Sequence, residues 1–107
     1  MSNRLYTTTE IQEKISTVAK GLSDTDLDKL CKKDHSKSAF DISYPLFLRV
    51  PAHFTPAEKA EVLKDAKGVV RYTWEYEFER NGFIYAMSTQ WYARNDEYVQ
   101  RWLGKFE

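Results

Sequence analysis

Apolar and polar residues alternate from Val69 to Tyr92, which predicts two strands joined by a tight turn. Asn81-Gly82 lies between the strands, and both residue types readily adopt the positive φ angles that the two central positions of a type I′ turn require. With this dipeptide as the loop, Arg80 faces Phe83, and the remaining pairs follow by counting outward from the turn. The pattern therefore predicts a β-hairpin with a defined register.

The predicted register divides the hairpin into two faces. One face carries an aromatic ladder that pairs Phe78 with Tyr85, Tyr76 with Met87, Trp74 with Thr89 and Tyr72 with Trp91. The other face pairs Glu79 with Ile84, Glu77 with Ala86, Glu75 with Ser88, Thr73 with Gln90 and Arg71 with Tyr92. Because one side of an antiparallel sheet commonly packs on the core while the other meets water, we expect helices to cover the aromatic face.

Capping signals predict the starts of four helices. The first helix begins near Thr8 after the capping box Thr7-Thr8-Thr9-Glu10 and stops near Gly21. The second begins at Ser23-Asp24-Thr25-Asp26 and has an apolar face of Leu27, Leu30 and Cys31; the third begins at Thr55-Pro56-Ala57-Glu58 and runs to about Lys67 before Gly68; the last is capped by Asn95 and carries Val99, Trp102, Leu103 and Phe106.

Two further segments complete the predicted fold. Polar residues from Lys32 to Ser43 follow no period, which predicts a loop, and Tyr44 to Val50 between two prolines predicts a short strand at a sheet edge. The element order α-α-β-α-β-β-α is typical of an α+β domain, with a small antiparallel sheet covered by about four helices. We expect residues 1–107 to form a single domain.

Composition narrows the classes of function. Sixteen basic and sixteen acidic side chains balance to zero net charge, whereas a dedicated nucleic-acid binder usually has a basic domain or stripe. Cys31 is the single cysteine, and no apolar run is long enough for a membrane span. We therefore expect a cytoplasmic protein that does not enter the membrane.

The sequence predicts neither a metal site nor a cofactor. Glu75, Glu77 and Glu79 share one strand face, but the facing strand offers no further ligands, and two histidines with one cysteine are too few for a structural zinc site. Cys31 and His35 are one helical turn apart, yet Cys31 also continues an apolar stripe, which favours a core position. No complete cofactor motif occurs in the chain.

The segment Lys29 to Lys37 is the one concentrated basic stretch of the chain. Its lysines, together with His35 and Ser36, could hold a phosphate or contact RNA. Lysines at a helix C-terminus also complement the helix dipole without any ligand. With zero net charge, nucleic-acid binding here is the less favoured of the two interpretations.

The segment Ser88-Thr89-Gln90-Trp91-Tyr92 resembles the last strand of the barnase, EndoU and colicin-type ribonuclease toxins over these five residues. The resemblance implies a metal-independent ribonuclease. Ser88 or Thr89 would bind the scissile phosphate, Trp91 would stack a base, and His35 or His53 would act as the acid-base group.

Small size, balanced charge and a 15% share of aromatic residues favour a protein-binding module instead. Such a module would be an inhibitor, an immunity or anti-defence factor, or a regulatory subunit, and its partner would be another protein or a second copy. Tyrosine and tryptophan dominate binding hot spots, so the predicted contact residues are Tyr85, Trp91, Tyr92 and Tyr98 with Glu75, Glu77, Glu79 and Ile84.

Overall fold

A computed structural model describes residues 5–106 of the chain. Within these residues, five α-helices surround one three-stranded antiparallel sheet of order β1-β3-β2. The elements in chain order are α1 Thr8–Ala19, α2 Asp24–Lys29, α3 Lys33–Phe40, β1 Phe47–Pro51, α4 Pro56–Glu61, β2 Tyr72–Arg80, β3 Phe83–Ser88 and, after a 3-10 turn at Ala93–Asn95, α5 Asp96–Gly104. The α+β fold class is confirmed, and β1 lies at a sheet edge as predicted.

The hairpin turn forms as the sequence predicts. Asn81 and Gly82 have φ angles of 54° and 82°, which are the positive values that a type I′ turn needs at both positions. The pairs nearest the turn are Arg80 with Phe83, Glu79 with Ile84 and Phe78 with Tyr85.

The register farther from the turn is wrong in the sequence prediction. Tyr72 pairs with Ser88 and Thr73 pairs with Met87, so the predicted pairs Tyr76–Met87, Glu75–Ser88, Thr73–Gln90 and Tyr72–Trp91 do not form. Residues 74–77 of β2 lie across from Ala86 alone, which makes a large bulge. The predicted register assumed a ladder without a bulge. The bulge shifts the partner of Tyr72 by three positions, from Trp91 to Ser88, and a shift by an odd number of residues places Tyr72 on the face opposite to the predicted one.

Local contacts show why the bulge is stable. The side chain of Thr73 accepts a hydrogen bond from the Glu75 amide at 3.1 Å, which satisfies a backbone donor inside the bulge. The Trp74 indole donates to the carbonyl oxygen of Lys59 at 2.8 Å, and the Lys59 ammonium lies 3.1 Å from the Glu77 carboxylate. The bulge therefore lets β2 hold the α4 segment.

The central strand β3 is buried on both of its faces. Tyr85 and Met87 join the main core with Phe47 of β1, and this core includes the following helix residues: Ile11, Ile15, Ala19, Leu27, Phe40, Val99, Trp102 and Leu103. On the other face, Ile84, Ala86 and Ser88 are buried as well. The predicted solvent-facing side of the hairpin is therefore confined to β2.

Helix α3 replaces the loop predicted from Lys32 to Ser43. Ser36 and Phe40 are one turn apart and both fully buried, but a serine in a core position hides the helical period in the sequence. The Ser36 hydroxyl donates to the Leu30 carbonyl at 3.3 Å and accepts from the Leu46 amide at 2.9 Å. Asp41 then ends the helix in the left-handed conformation, with φ of 58°.

Helix α4 ends at Glu61, so the prediction that it runs to about Lys67 is wrong. The carboxylate of Asp65 accepts hydrogen bonds from the amides of Lys67 at 2.8 Å and Val69 at 3.0 Å. These side-chain hydrogen bonds replace the backbone hydrogen bonds of a continuing helix, so the chain forms a turn after α4. Gly68 adopts a φ of 82° in this turn. The glycine thus serves a turn after the helix and is not the helix stop.

The predicted helix starts differ in outcome. Thr7 with Glu10 and Thr55 with Glu58 form reciprocal capping boxes, and the Ser23 hydroxyl caps α2. Asn95 precedes α5 but makes no side-chain cap for it. Its side chain instead accepts from the Tyr92 amide at 2.8 Å and donates to the Phe40 carbonyl at 2.7 Å. The buried Asn95 thereby links the segment after β3 to the end of α3.

Candidate interaction surface

A shallow pocket of about 170 Å³ lies where the chain leaves β3 and enters β2. Two tyrosines and two arginines dominate its lining, and we call it the Tyr–Arg pocket. It is lined by Ile42, Ser43, Tyr44, Arg71, Gln90, Tyr92 and Arg94.

A hydrogen-bond chain centred on Gln90 fixes the floor of this pocket. The side-chain oxygen of Gln90 accepts from Arg71 Nη1 at 3.1 Å and from the Tyr92 hydroxyl at 2.9 Å. The side-chain nitrogen of Gln90, Nε2, donates to the Thr89 hydroxyl at 3.0 Å. Each polar side chain in the chain restricts the next, so the pocket is ordered before any ligand binds.

Each arginine of the pocket lies over a tyrosine ring. The Arg71 guanidinium is 5.4 Å from the centre of the Tyr44 ring, and the Arg94 guanidinium is 4.9 Å from the centre of the Tyr92 ring. These separations are within the range of cation–π attraction. The stacked pairs present flat, amphipathic surfaces to solvent.

Each arginine of the pocket also forms an ion pair with an aspartate. Asp65 lies 2.9 Å from Arg71 Nε, and Asp41 lies 3.7 Å from Arg94 Nε. The pKa of Asp65 is held below its usual value by the hydrogen bond from the Val69 amide and then by that from Arg71. The Asp65 carboxylate is therefore charged at neutral pH, and the pocket is less basic than two arginines alone would make it.

Buried neighbours on both sides position Tyr92. Trp91 is only 3% exposed, and its indole N–H donates to the Ser88 carbonyl at 2.8 Å. Asn95 is fully buried and binds the Tyr92 amide. Tyr92 itself is 48% exposed, so a large aromatic ring is held outward between two residues fixed in the core.

The three predicted glutamates lie on the exposed side of β2. Glu75, Glu77 and Glu79 are all exposed, and Glu77 forms the ion pair with Lys59. Among the residues that the structure describes, no ion pair involves Glu75 or Glu79. Two uncompensated carboxylates therefore face solvent along this edge strand.

The other predicted contact residues are placed less favourably. Ile84, Tyr85 and Trp91 are buried in the fold, so a partner cannot contact these side chains without unfolding part of the sheet. Tyr98 is half-buried beneath the Arg101 guanidinium, at 4.8 Å, and lines a different cleft from Tyr92.

Sequence reasoning missed most of the Tyr–Arg pocket. Tyr44, Gln90 and Arg94 had not been selected as contact residues, and Arg71 was placed beside Tyr92 through a register that does not form. The two residues meet instead through Gln90. Of the pocket residues, the sequence had selected Tyr92 alone as a contact residue; the tertiary structure adds Tyr44, Arg71, Gln90 and Arg94.

The residues of the ribonuclease interpretation do not line the Tyr–Arg pocket. Ser88 is 1% exposed, and its hydroxyl accepts from the Gln90 amide at 3.1 Å. With Trp91 also buried, neither residue can reach a phosphate or a base in this fold. Thr89 is half-buried, His53 is exposed in the loop after β1, and His35 lies on α3 beside a separate cleft.

Cys31 is half-buried between α2 and α3, where its thiol contacts the Leu27 carbonyl at 3.7 Å. Burial, the largest effect, raises the pKa of this thiol to about 11. The thiol is therefore protonated at neutral pH, which makes it a poor nucleophile.

In the described part of the chain, no group of three or more histidine, cysteine, aspartate or glutamate residues is placed to hold a metal ion. None of the described helices is long and apolar enough to cross a membrane. No protein-family model, curated protein or solved structure matches the chain. Function must therefore be inferred from the geometry of this chain alone.

Proposed function

We propose that this protein is a cytoplasmic protein-binding module of the inhibitor, immunity, anti-defence or regulatory type. Its contact surface would combine the Tyr–Arg pocket with the exposed glutamates of β2. One observation carries the proposal: Tyr92 is 48% exposed although its hydroxyl, its backbone amide and its ring face are each held by another residue.

Rigid exposed aromatics favour binding for an energetic reason. Ordering a flexible side chain at an interface costs about 0.5–1.5 kcal/mol, and a side chain already ordered avoids most of this cost. Tyrosine and arginine are also among the residues most enriched at binding hot spots. A partner that covers Tyr92 would bury a ring whose position is already set by Gln90, Arg94 and Asn95.

The acidic strand adds a preference for the charge of the partner. Glu75 and Glu79 have no compensating cation among the described residues, whereas Lys59 offsets Glu77. Complementary charge accelerates association and disfavours partners of like charge. We therefore propose that the partner presents a basic surface next to the groove or ring that receives Tyr92.

The test begins with affinity capture and ends with purified components. Tagged wild type, Tyr92→Ala and Phe83→Ala would be used to capture partners, which would be identified by mass spectrometry and then measured by calorimetry. Phe83 is a matched control because it is also an exposed aromatic with an arginine, Arg49, 5.3 Å from its ring centre.

We expect Tyr92→Ala to weaken binding of the purified partner by about 30-fold, the size of a hot-spot residue worth about 2 kcal/mol. Phe83→Ala should leave the affinity within about twofold. A monomeric protein that captures no partner would contradict the proposal, as would a partner whose affinity is equal for wild type and Tyr92→Ala. Self-association detected by light scattering and lost in Tyr92→Ala would identify a second copy as the partner.

A further inference from the structure

Two adjoining clefts of about 120 and 190 Å³ lie along the contact between α3 and α5. They share Ala39, Trp102 and Lys105, so they form one continuous furrow, which we call the α3–α5 furrow. This furrow is separate from the Tyr–Arg pocket, since the two share no lining residue.

Basic side chains from three helices surround the furrow. Lys29 comes from α2, His35 from α3, Arg101 from α5 and Lys105 from the C-cap of α5. Among the described residues that line the furrow, Asp26 is the one carboxylate, and it lies 3.9 Å from Lys29. Arg101 and Lys105 form no ion pair within the described residues.

The fold assembles this charge in a way that the sequence does not show. Of the basic stretch from Lys29 to Lys37, Lys32 is paired with Asp28 at 3.4 Å and Lys37 with Asp41 at 3.0 Å. The uncompensated cations that line the furrow, Arg101 and Lys105, come instead from α5 and its C-cap, more than sixty positions away in the chain. The pKa of His35 is lowered by burial and then by Lys29 and Lys105, which is consistent with a positive potential in the furrow.

Aromatic rings lie beside these cations at both ends of the furrow. Phe106 is 41% exposed and rests against Trp102, with ring centres 4.8 Å apart. At the other end, the Tyr98 ring lies under the Arg101 guanidinium at 4.8 Å. Cations that follow a backbone, combined with aromatic faces that stack bases, are the elements of single-strand recognition.

We propose that the α3–α5 furrow binds a short single-stranded nucleic acid. The phosphodiester backbone follows Lys29, Arg101 and Lys105, and one base stacks on the exposed face of Phe106. The Ser38 hydroxyl, which also lines the furrow, is available to a phosphate oxygen. This site is a further function, on a surface different from that of the proposed protein contact.

Charge sets the expected salt dependence of binding. For single strands, the logarithm of affinity falls with the logarithm of salt concentration with a slope of about −0.7 for each neutralised phosphate. Three cations therefore predict a slope of about −2, which is a loss of about twentyfold in affinity between about 50 and 200 mM salt. The zero net charge of the chain adds no further attraction.

The experiment measures fluorescence anisotropy of a labelled oligouridylate and a labelled oligothymidylate of about 12 nucleotides. Arg101→Ala/Lys105→Ala removes two cations of the furrow. Lys20→Ala/Lys67→Ala removes the same charge from exposed positions outside it. Phe106→Ala tests stacking, and circular dichroism checks that each variant is folded.

We expect the furrow pair to weaken binding about tenfold or more and to flatten the salt slope, while the control pair changes affinity by less than about twofold. Phe106→Ala should weaken binding about fivefold or more without changing the slope. The proposal would be overturned if the wild type did not bind at low salt, or if the furrow pair and the control pair lost affinity equally. An unchanged affinity in Phe106→Ala would also overturn it. Binding to phosphatidylserine vesicles but not to either oligonucleotide would overturn it as well.

Discussion

The buried serine of α3 provides a sharp test of how this fold is held together. Ser36 is fully buried, and its hydroxyl connects two backbone groups from different segments, the Leu30 carbonyl and the Leu46 amide. Ser36→Ala removes this connection but keeps the helix. Because α3 forms one wall of the α3–α5 furrow, the same change tests the support of that site.

The magnitude follows from which backbone groups lose their partner. The Leu30 carbonyl still accepts from the Phe47 amide at 3.1 Å, so it remains satisfied in the variant. The Leu46 amide loses its acceptor while Leu46 stays fully buried, and an unsatisfied buried donor costs about 1–3 kcal/mol. Alanine recovers a few tenths of a kcal/mol in helix propensity, which leaves an expected loss of about 1–2 kcal/mol.

Urea denaturation followed by fluorescence would measure this loss as a lower midpoint with an unchanged slope. Ser38→Ala is the matched control because Ser38 is exposed on the same helix, and it should change the free energy of unfolding by less than about 0.5 kcal/mol. Equal stability of Ser36→Ala and Ser38→Ala would refute the conclusion that the Ser36 hydroxyl stabilises the fold by bridging Leu30 and Leu46.

Three further predictions concern titratable groups. The folded-state pKa of Asp65 is lowered, so its contribution to stability is present above its unfolded pKa and is lost as the pH falls through the folded value; Asp65→Asn should therefore reduce the change in unfolding free energy between neutral and acidic pH, with the exposed Asp34→Asn as the matched control. Cys31, with a pKa of about 11, should react slowly with iodoacetamide at neutral pH and rapidly in denaturant, as followed by mass spectrometry; rapid labelling of the native protein would contradict its protonated, half-buried state. Purified protein should leave RNA intact, and His35→Ala or His53→Ala should change nothing; cleavage that one of these folded variants abolishes would instead support the ribonuclease interpretation.

Short-range signals were read correctly where two or three neighbouring residues decide the structure. The Asn81-Gly82 turn and the Thr7–Glu10 and Thr55–Glu58 capping boxes form as predicted, because their hydrogen bonds or φ angles depend on adjacent positions. The prediction of a loop from Lys32 to Ser43 was wrong because the helix there depends on residues outside the segment. Ser36 is polar in composition but occupies a core position, and its partner Leu46 lies ten residues away.

The candidate sites were predictable only in part. Tyr92 and the three glutamates of β2 were selected from the sequence and are exposed. Trp91 was selected for the same aromatic character but is buried after the end of β3, where its ring packs on Phe40 with centres 5.8 Å apart and its indole donates to the Ser88 carbonyl. Tyr44, Arg94 and the cations of α5 join their surfaces through contacts between segments distant in the chain.

The sequence by itself determined the α+β class, the hairpin turn and three helix caps, since these depend on local backbone preference and on the spacing of apolar residues. The tertiary structure decided the bulge in β2, the helix at Lys33–Phe40 and the division of aromatic residues between core and surface. Each of these depends on partners from another segment of the chain: Lys59 for Trp74, Leu46 for Ser36, and Phe40 for Asn95, whose side chain holds the Tyr92 amide. A hydrogen bond between distant segments forms only after the chain has folded, so its effect on either segment is absent from the local pattern.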